Sequence, residues 1–301
     1  MNVLLKDNNE IKKMLGKNHQ LNRPTGILLF KEETTEFSIE HYTLKLNDLE
    51  SVPAIHLKPN KPKDKQPVVI FLHSHGGNFL DGKSEVLKGA EYLVSPSFAK
   101  TLTGMGYDVW SIDSWGFEDR RGIAESELFK EFLLQGMTLW GMRIFDVISL
   151  IDYLFTRNDV DVKRIATIGM SMGGMLSWWV AALDKRIKVC VDIAGQVNLE
   201  LLAQQHLLDK HGFYLYMPNF LKSSSTIEIQ KMIFPRARLS LSGIHDSLCP
   251  YRGAKKLDQK LKKLYLDQGY ENNYQYLIGS GGHQETFEFR ATWIKFLKKN
   301  L

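Results

Sequence analysis

The residues best placed to do chemistry surround Ser171, in the stretch Ile-Ala-Thr-Ile-Gly-Met-Ser-Met-Gly-Gly that runs over positions 165–174. Gly169, Ser171 and Gly173 give the pattern G-x-S-x-G. The apolar, partly β-branched run before it suits a buried parallel strand, and positions 172–184 read as a helix. A serine on a tight strand-to-helix turn is held out from the sheet, and glycines on both sides let strand and helix approach. The alternative is a purely structural turn. If the turn is chemical, Ser171 is a nucleophile.

A serine hydroxyl becomes nucleophilic only when a base takes its proton, and the base needs a third group to fix its tautomer. On folds with such an elbow the chain order is serine, acid, histidine. Four histidines follow Ser171: His206, His211, His245 and His283. Only His283, in Gly-Ser-Gly-Gly-His-Gln-Glu-Thr, falls in a loop after the last predicted strand, where Gly279, Gly281 and Gly282 let the chain reach across the sheet edge. A helix-capping role is the competing reading. Asp246, in Gly-Ile-His-Asp-Ser-Leu-Cys-Pro, follows a strand and precedes a helix. It is the expected acid, although a carboxylate there also suits a cap. Asp192, inside the preceding strand, is the rival, and Asp113 is expected to be structural. His245 adjoins Asp246, but neighbours on an extended segment point apart.

Charge developing on a substrate oxygen needs donors. The amide of Met172 is one, and the loop Phe-Leu-His-Ser-His-Gly-Gly-Asn over 71–78 offers the amide of Gly77 or, second, Gly76. His73 and His75 also have the spacing of a metal pair, but no third ligand accompanies them, so neither metal nor cofactor is expected. Trp115, Phe117, Tyr214 and Tyr216 are candidates for an aromatic substrate pocket, with packing as the alternative. Arg120 or Arg121 would either meet an anionic substrate or form an ion pair with Asp113, Glu118 or Asp119.

The elements that must position these residues alternate. Strands are predicted at 37–46 and 52–57 as an edge hairpin, then at 67–72, 107–113, 165–168, 187–193, 238–242 and 273–278. Helices are predicted within 85–105, along a stripe from Leu133 to Ile151, at 172–184, at 254–265 and at the C-terminus. This implies a mostly parallel sheet of about eight strands with helices on both faces. Residues 1–24 read as a helical arm ending at Pro24. Residues 196–235 read as a cap-like insertion over the site, within a single domain.

The composition is that of a chain able to bury a large core, with 301 residues of which 44% are hydrophobic. The first ten residues lack a secretory pattern, no window reaches a membrane-spanning length, and two cysteines make no disulfide framework. A cytoplasmic protein is therefore expected. The lysines between 255 and 263 alternate with leucines as the wet face of a helix, without the aromatic residues that would stack bases, so no nucleic-acid partner is expected. Oligomeric state is left open.

Taken in order, His-x-His-Gly-Gly, Gly-Met-Ser-Met-Gly-Gly, Gly-Ile-His-Asp and Gly-Ser-Gly-Gly-His resemble the α/β-hydrolase superfamily from about residue 50 onward. The stretches His-Ser-His-Gly-Gly-Asn-Phe-Leu-Asp-Gly-Lys, Ser-Ile-Asp-Ser-Trp-Gly-Phe-Glu-Asp-Arg-Arg-Gly and His-Gly-Phe-Tyr-Leu-Tyr-Met-Pro look like its dienelactone-hydrolase-like and acetyl-xylan-esterase-like branch. That branch is related to prolyl oligopeptidase catalytic domains. Serine replaces the cysteine of dienelactone hydrolase, and no propeller domain is seen. The resemblance implies an α/β-hydrolase fold and hydrolysis of a small-molecule carboxylic ester through an acyl-enzyme. An amidase or aminopeptidase on the same triad, or a catalytically idle binding protein, are the alternatives.

Overall fold

The computed structural model describes residues 8–61 and 64–301. Nine strands form one sheet: β1 (Gln20–Glu33), β2 (Phe37–Asn47), β3 (Val52–Pro59), β4 (Gln66–Leu72), β5 (Asp108–Ile112), β6 (Val160–Met170), β7 (Val189–Ile193), β8 (Ala237–Gly243) and β9 (Tyr274–Gly279). Their spatial order is β1-β2-β3-β5-β4-β6-β7-β8-β9. The first three strands form an antiparallel meander that meets β5 antiparallel, and everything from β5 to β9 is parallel.

The helices are α1 (Asn8–Leu15), α2 (Glu85–Lys88), α3 (Phe98–Gly104), α4 (Glu125–Leu134), α5 (Leu139–Leu154), α6 (Met172–Leu183), α7 (Leu199–Gln204), α8 (Phe220–Ser223), α9 (Thr226–Lys231), α10 (Tyr251–Asp267) and α11 (Phe287–Asn300). The pleat of β4 divides the core. Val68, Ile70 and Leu72 face one cluster with Trp140, Ile144, Trp178 and Trp179 of α5 and α6. Val69 and Phe71 face the other, with Phe98 and Leu102 of α3 and Phe289 and Trp293 of α11. A sheet buried on both faces explains why these strands read as continuous apolar runs. This is the α/β-hydrolase fold.

Four expectations change in detail. The arm expected over 1–24 is helical only at Asn8–Leu15, with residues 1–7 outside the described residues; Pro24 lies in β1. Most of β1 is exposed, so it lacks the alternation that would announce it, and it adds a strand to the expected eight. The long stripe from Leu133 breaks after α4. Gly136 adopts φ +75°, and Thr138 starts α5 by accepting a hydrogen bond from the Gly141 amide at 2.9 Å. Leu133 is partly exposed as a result. The single helix expected within 85–105 is two, α2 and α3.

Candidate active site

The carboxyl ends of β4, β6, β8 and β9 open on one edge of the sheet, where α/β folds place their sites. At the end of β6 the chain turns sharply. Ser171 takes φ 56°, ψ −119°, outside the usual regions for a residue with a side chain, and its amide is tied to the Ile193 carbonyl at 2.8 Å. The glycines on either side are compulsory, because a Cβ on Gly169 or Gly173 would run into the Leu72 carbonyl oxygen. The elbow is thus set by the approach of three backbones.

Ser171, Asp246 and His283 come together across the ends of three strands. Ser171 Oγ lies 2.7 Å from His283 Nε2, and His283 Nδ1 lies 2.8 Å from Asp246 Oδ2. The other carboxylate oxygen of Asp246 accepts the amides of Leu248 and Cys249, each at 2.8 Å. Its orientation is therefore fixed before it meets the imidazole. With a carboxylate on Nδ1, that nitrogen carries the proton and Nε2 accepts from the serine hydroxyl. Asp246 is buried, whereas Ser171 and His283 are partly exposed to the cavity.

The histidine loop is pinned from two sides. The amides of Ile244 and His245 donate to the Gly279 and Gly281 carbonyls at 2.9 and 3.1 Å, a closeness that requires the bare backbone of Gly243. Two residues past His283, the buried Glu285 carboxylate accepts from the Val94 amide, the Arg290 guanidinium and the Trp293 indole at 2.7–3.0 Å. Neither Glu285 nor Arg290 is conspicuous in the sequence. His245 is exposed, facing away from Asp246's partner. Asp192 is buried in β7, where it accepts from Ser240 Oγ at 2.7 Å and Arg238 Nη2 at 3.4 Å.

Opposite the serine, the turn after β4 forms the cavity's other wall. His73 is buried, with Nδ1 donating to the Ser74 carbonyl at 2.8 Å and Nε2 accepting the Ser114 amide at 3.1 Å. Burial pushes its pKa down to about 4, keeping it neutral. The His75 ring lines the cavity, its Nε2 donating to Glu125 Oε2 at 3.0 Å and its Nδ1 accepting the Gly77 amide at 3.2 Å. Both histidines thus have both ring nitrogens engaged by the protein. Gly77, expected as an oxyanion donor, lies at the cavity wall, and its amide is occupied by this bond. The amide of Met172 is the first of α6 and has no intrahelical acceptor. Glu85, whose carboxyl burial pushes up, holds the turn by accepting from the Ser74 amide at 3.0 Å and the Tyr92 hydroxyl at 2.7 Å.

Beneath His75 lies a buried cation that sequence reasoning missed. Arg143 of α5 donates to Glu125 Oε2 at 3.0 Å, the Trp115 carbonyl at 2.8 Å and Met172 Sδ at 3.3 Å. Its guanidinium also sits 5.1 Å from the Tyr214 ring centre. Burial raises the Glu125 carboxyl, but the His75 hydrogen bond and the Arg143 charge outweigh it and hold the group below its usual range. Only the helical pattern hinted at Arg143, as a charge on an otherwise apolar stretch.

The cavity enclosed by these walls measures about 890 Å³. Tyr214 and Tyr216 line it, with Tyr214 stacked on His75 at 5.2 Å between ring centres. Residues 208–214 of the segment expected as a cap supply much of its rim. Trp115, expected in the pocket, does not line it. Its ring is buried against Phe132 and beneath the Arg120 guanidinium, because that side of the loop faces α4. Phe117 is fully buried behind His73 and His75. Arg120 is an internal ion-pair residue, though with Glu50 at 2.5 Å and Asp146 at 2.8 Å. Asp113, Glu118 and Asp119 instead surround the Lys83 ammonium at 2.6–3.0 Å. Arg121 is exposed.

An elbow serine, a histidine and a carboxylate on the carboxyl edge of such a sheet define the α/β-hydrolase class. Within it, residues 119–299 match the prolyl oligopeptidase family, and the chain belongs to that family. It is 49% identical over 278 residues to "Putative hydrolase YtaP" of Bacillus subtilis (strain 168), covering 92% of this chain and 93% of that protein. Its fold is similar to a glucuronoyl esterase from Solibacter usitatus (TM-score 0.72, 13% identity, 97% of this chain and 92% of that one). It is also similar to an acetyl xylan esterase from Paenibacillus sp. R4 (TM-score 0.64, 15% identity, 100% and 97%). At those identities the two structures speak to the fold alone.

Proposed function

We propose that this protein is a serine hydrolase that cleaves carboxylic esters through an acyl-enzyme, with Ser171, His283 and Asp246 as its triad. The observation that carries the reading is the unbroken relay from Ser171 Oγ through His283 to Asp246, at 2.7 and 2.8 Å, open to a cavity large enough for a small molecule. The name of its Bacillus subtilis relative is consistent with this reading.

In this mechanism the Ser171 oxygen attacks the acyl carbonyl while His283 Nε2 takes its proton, and Asp246 stabilises the imidazolium. The carbonyl oxygen gains negative charge and is met by the Met172 amide together with an amide of the 75–77 turn. If that second amide is Gly77's, it must first leave His75 Nδ1. The imidazolium then gives its proton to the departing alcohol. Water repeats the sequence, with its proton going to His283, and the freed acid leaves Ser171 unchanged. Tyr214 and Tyr216 form the apolar wall against which the substrate lies.

Amide or peptide cleavage on the same triad is the second reading, favoured by the family's namesake activity. Hydrolysis of p-nitrophenyl acetate, butyrate and octanoate, set beside the matching p-nitroanilides, separates the two. The proposal expects ester turnover that Ser171→Ala abolishes and that exceeds anilide turnover. Equal ester rates in wild type and Ser171→Ala would sink it, and a preference for anilides would favour the second reading.

A further inference from the structure

The outermost strand of the sheet is uncovered in an unusual way. β1 runs for 14 residues, and among the described residues it has a neighbour on one side only, β2. Its other edge presents backbone groups that natural proteins guard with charges, prolines or short strands; β1 has such guards only toward its ends, at Arg23-Pro24 and Lys31-Glu32-Glu33. Here the middle of the edge is Ile27-Leu28-Leu29-Phe30, with exposures of 67, 47, 58 and 52%. Successive side chains of a strand point to opposite faces, so apolar surface is bare on both. Register shifts between Gln20 and Thr25 and between Leu28 and Phe30 bend the strand, and Phe30 stacks on His41 at 4.1 Å between ring centres, yet all four side chains keep those exposures.

The flanks of this run carry opposite charge. Arg23, exposed and without an ion pair among the described residues, lies on the N-terminal side; the C-terminal side holds Lys31, Glu32 and Glu33, a net negative end in which Glu33 meets Lys31 at 2.7 Å and Glu32 meets His41 at 2.6 Å. Two copies of the segment laid antiparallel would set apolar residues against apolar residues. They would also bring each Arg23 beside the acidic end of the other copy. A parallel arrangement would put like charges together. This self-complementarity is what a two-fold interface requires.

We propose that the protein forms a two-fold dimer through antiparallel pairing of β1 edges, centred near Leu28, which joins two nine-stranded sheets into one. The occupant of the edge is a second copy of this chain. The site at Ser171 is on the carboxyl edge of the central strands and takes no part in the pairing.

The full chain, measured by sedimentation and by size-exclusion chromatography with light scattering, is expected to be a dimer at micromolar concentration. Leu28→Lys should make it a monomer with unchanged circular dichroism. Arg23→Glu should weaken the dimer about tenfold, since two cross-strand pairs are lost, and adding Glu33→Arg should restore it. Mild oxidation of Leu28→Cys should yield a covalent dimer, whereas Lys262→Cys on the exposed face of α10 should not. The native Cys190 and Cys249 are both buried. A monomeric wild type, or a dimer indifferent to both Leu28→Lys and Arg23→Glu, overturns the proposal. Retention of a heterologous protein by a monomeric wild type would also overturn it.

Discussion

Across the cavity from Ser171 and His283, the wall made by His75 and Tyr214 rests on a buried ion pair between Glu125 and Arg143, contributed by two different helices. The serine side rests mainly on backbone, with the buried Glu285–Arg290 pair standing behind the histidine loop rather than at the cavity wall. Ser171 is fixed by the close approach of β4, β6 and α6, Asp246 by two amides, and His283 by the carbonyls of Gly279 and Gly281. The contrast suits what the proposed mechanism asks of each side. Groups that exchange a proton need positions that do not vary, and backbone packing supplies them. A wall that meets a substrate can be built from side chains, at the cost of burying charge.

Breaking the reacting side should have the largest effect. Asp246→Asn keeps an oxygen for the Leu248 and Cys249 amides but turns an amide N–H toward His283, forcing the wrong tautomer. Ester kcat should fall by about 10⁴ with little change in melting temperature. Steady-state kinetics alongside thermal melts check both halves of that expectation.

On the other wall the balance reverses. Arg143→Met leaves the buried Glu125 carboxylate without its permanent cation, held only by the His75 ring, and should lower stability by about 3 kcal/mol, read by urea unfolding. The double change Arg143→Met with Glu125→Gln should recover part of the loss, because the stranded charge is gone. Glu125→Gln alone keeps an oxygen for both donors but leaves the buried Arg143 cation without its carboxylate, so some stability is lost as well. It should raise KM about fivefold and leave kcat nearly intact, since His75 stands at the substrate wall rather than in the proton path.

The smallest effect concerns His73, behind the same wall. Its folded pKa is about 4 and its ordinary value 6.5, so between those limits the unfolded chain binds more protons. Stability is therefore lost as pH falls from 6.5 toward 4. His73→Gln removes this contribution, and its unfolding free energy should decline less steeply over that window.

The same division decides how much of the molecule could be read from its sequence. The serine side announces itself because backbone crowding demands glycine. Gly169, Gly173 and the Gly279–Gly282 loop mark the elbow and the histidine loop in single letters, and the order serine, acid, histidine does the rest. The central strands are legible for a similar reason, since burial on both faces leaves continuous apolar runs. The other wall offers no such code. The meeting of Arg143, Glu125, His75 and Tyr214 spans the chain from position 75 to position 214 and depends on how α4, α5 and the 196–235 segment dock. Trp115 shows the converse error, an aromatic residue near the site in sequence whose ring packs away from it. At the sheet's outer edge, β1 escaped because an uncovered strand has no inside and outside to alternate between.

The most direct test of the central claim is the mass of the intact protein after treatment with a fluorophosphonate probe, followed by peptide mapping. One adduct per chain is expected, on Ser171, and none on the Ser171→Ala or His283→Ala proteins. A wild type that stays unmodified, or an adduct on any residue other than Ser171, would contradict it.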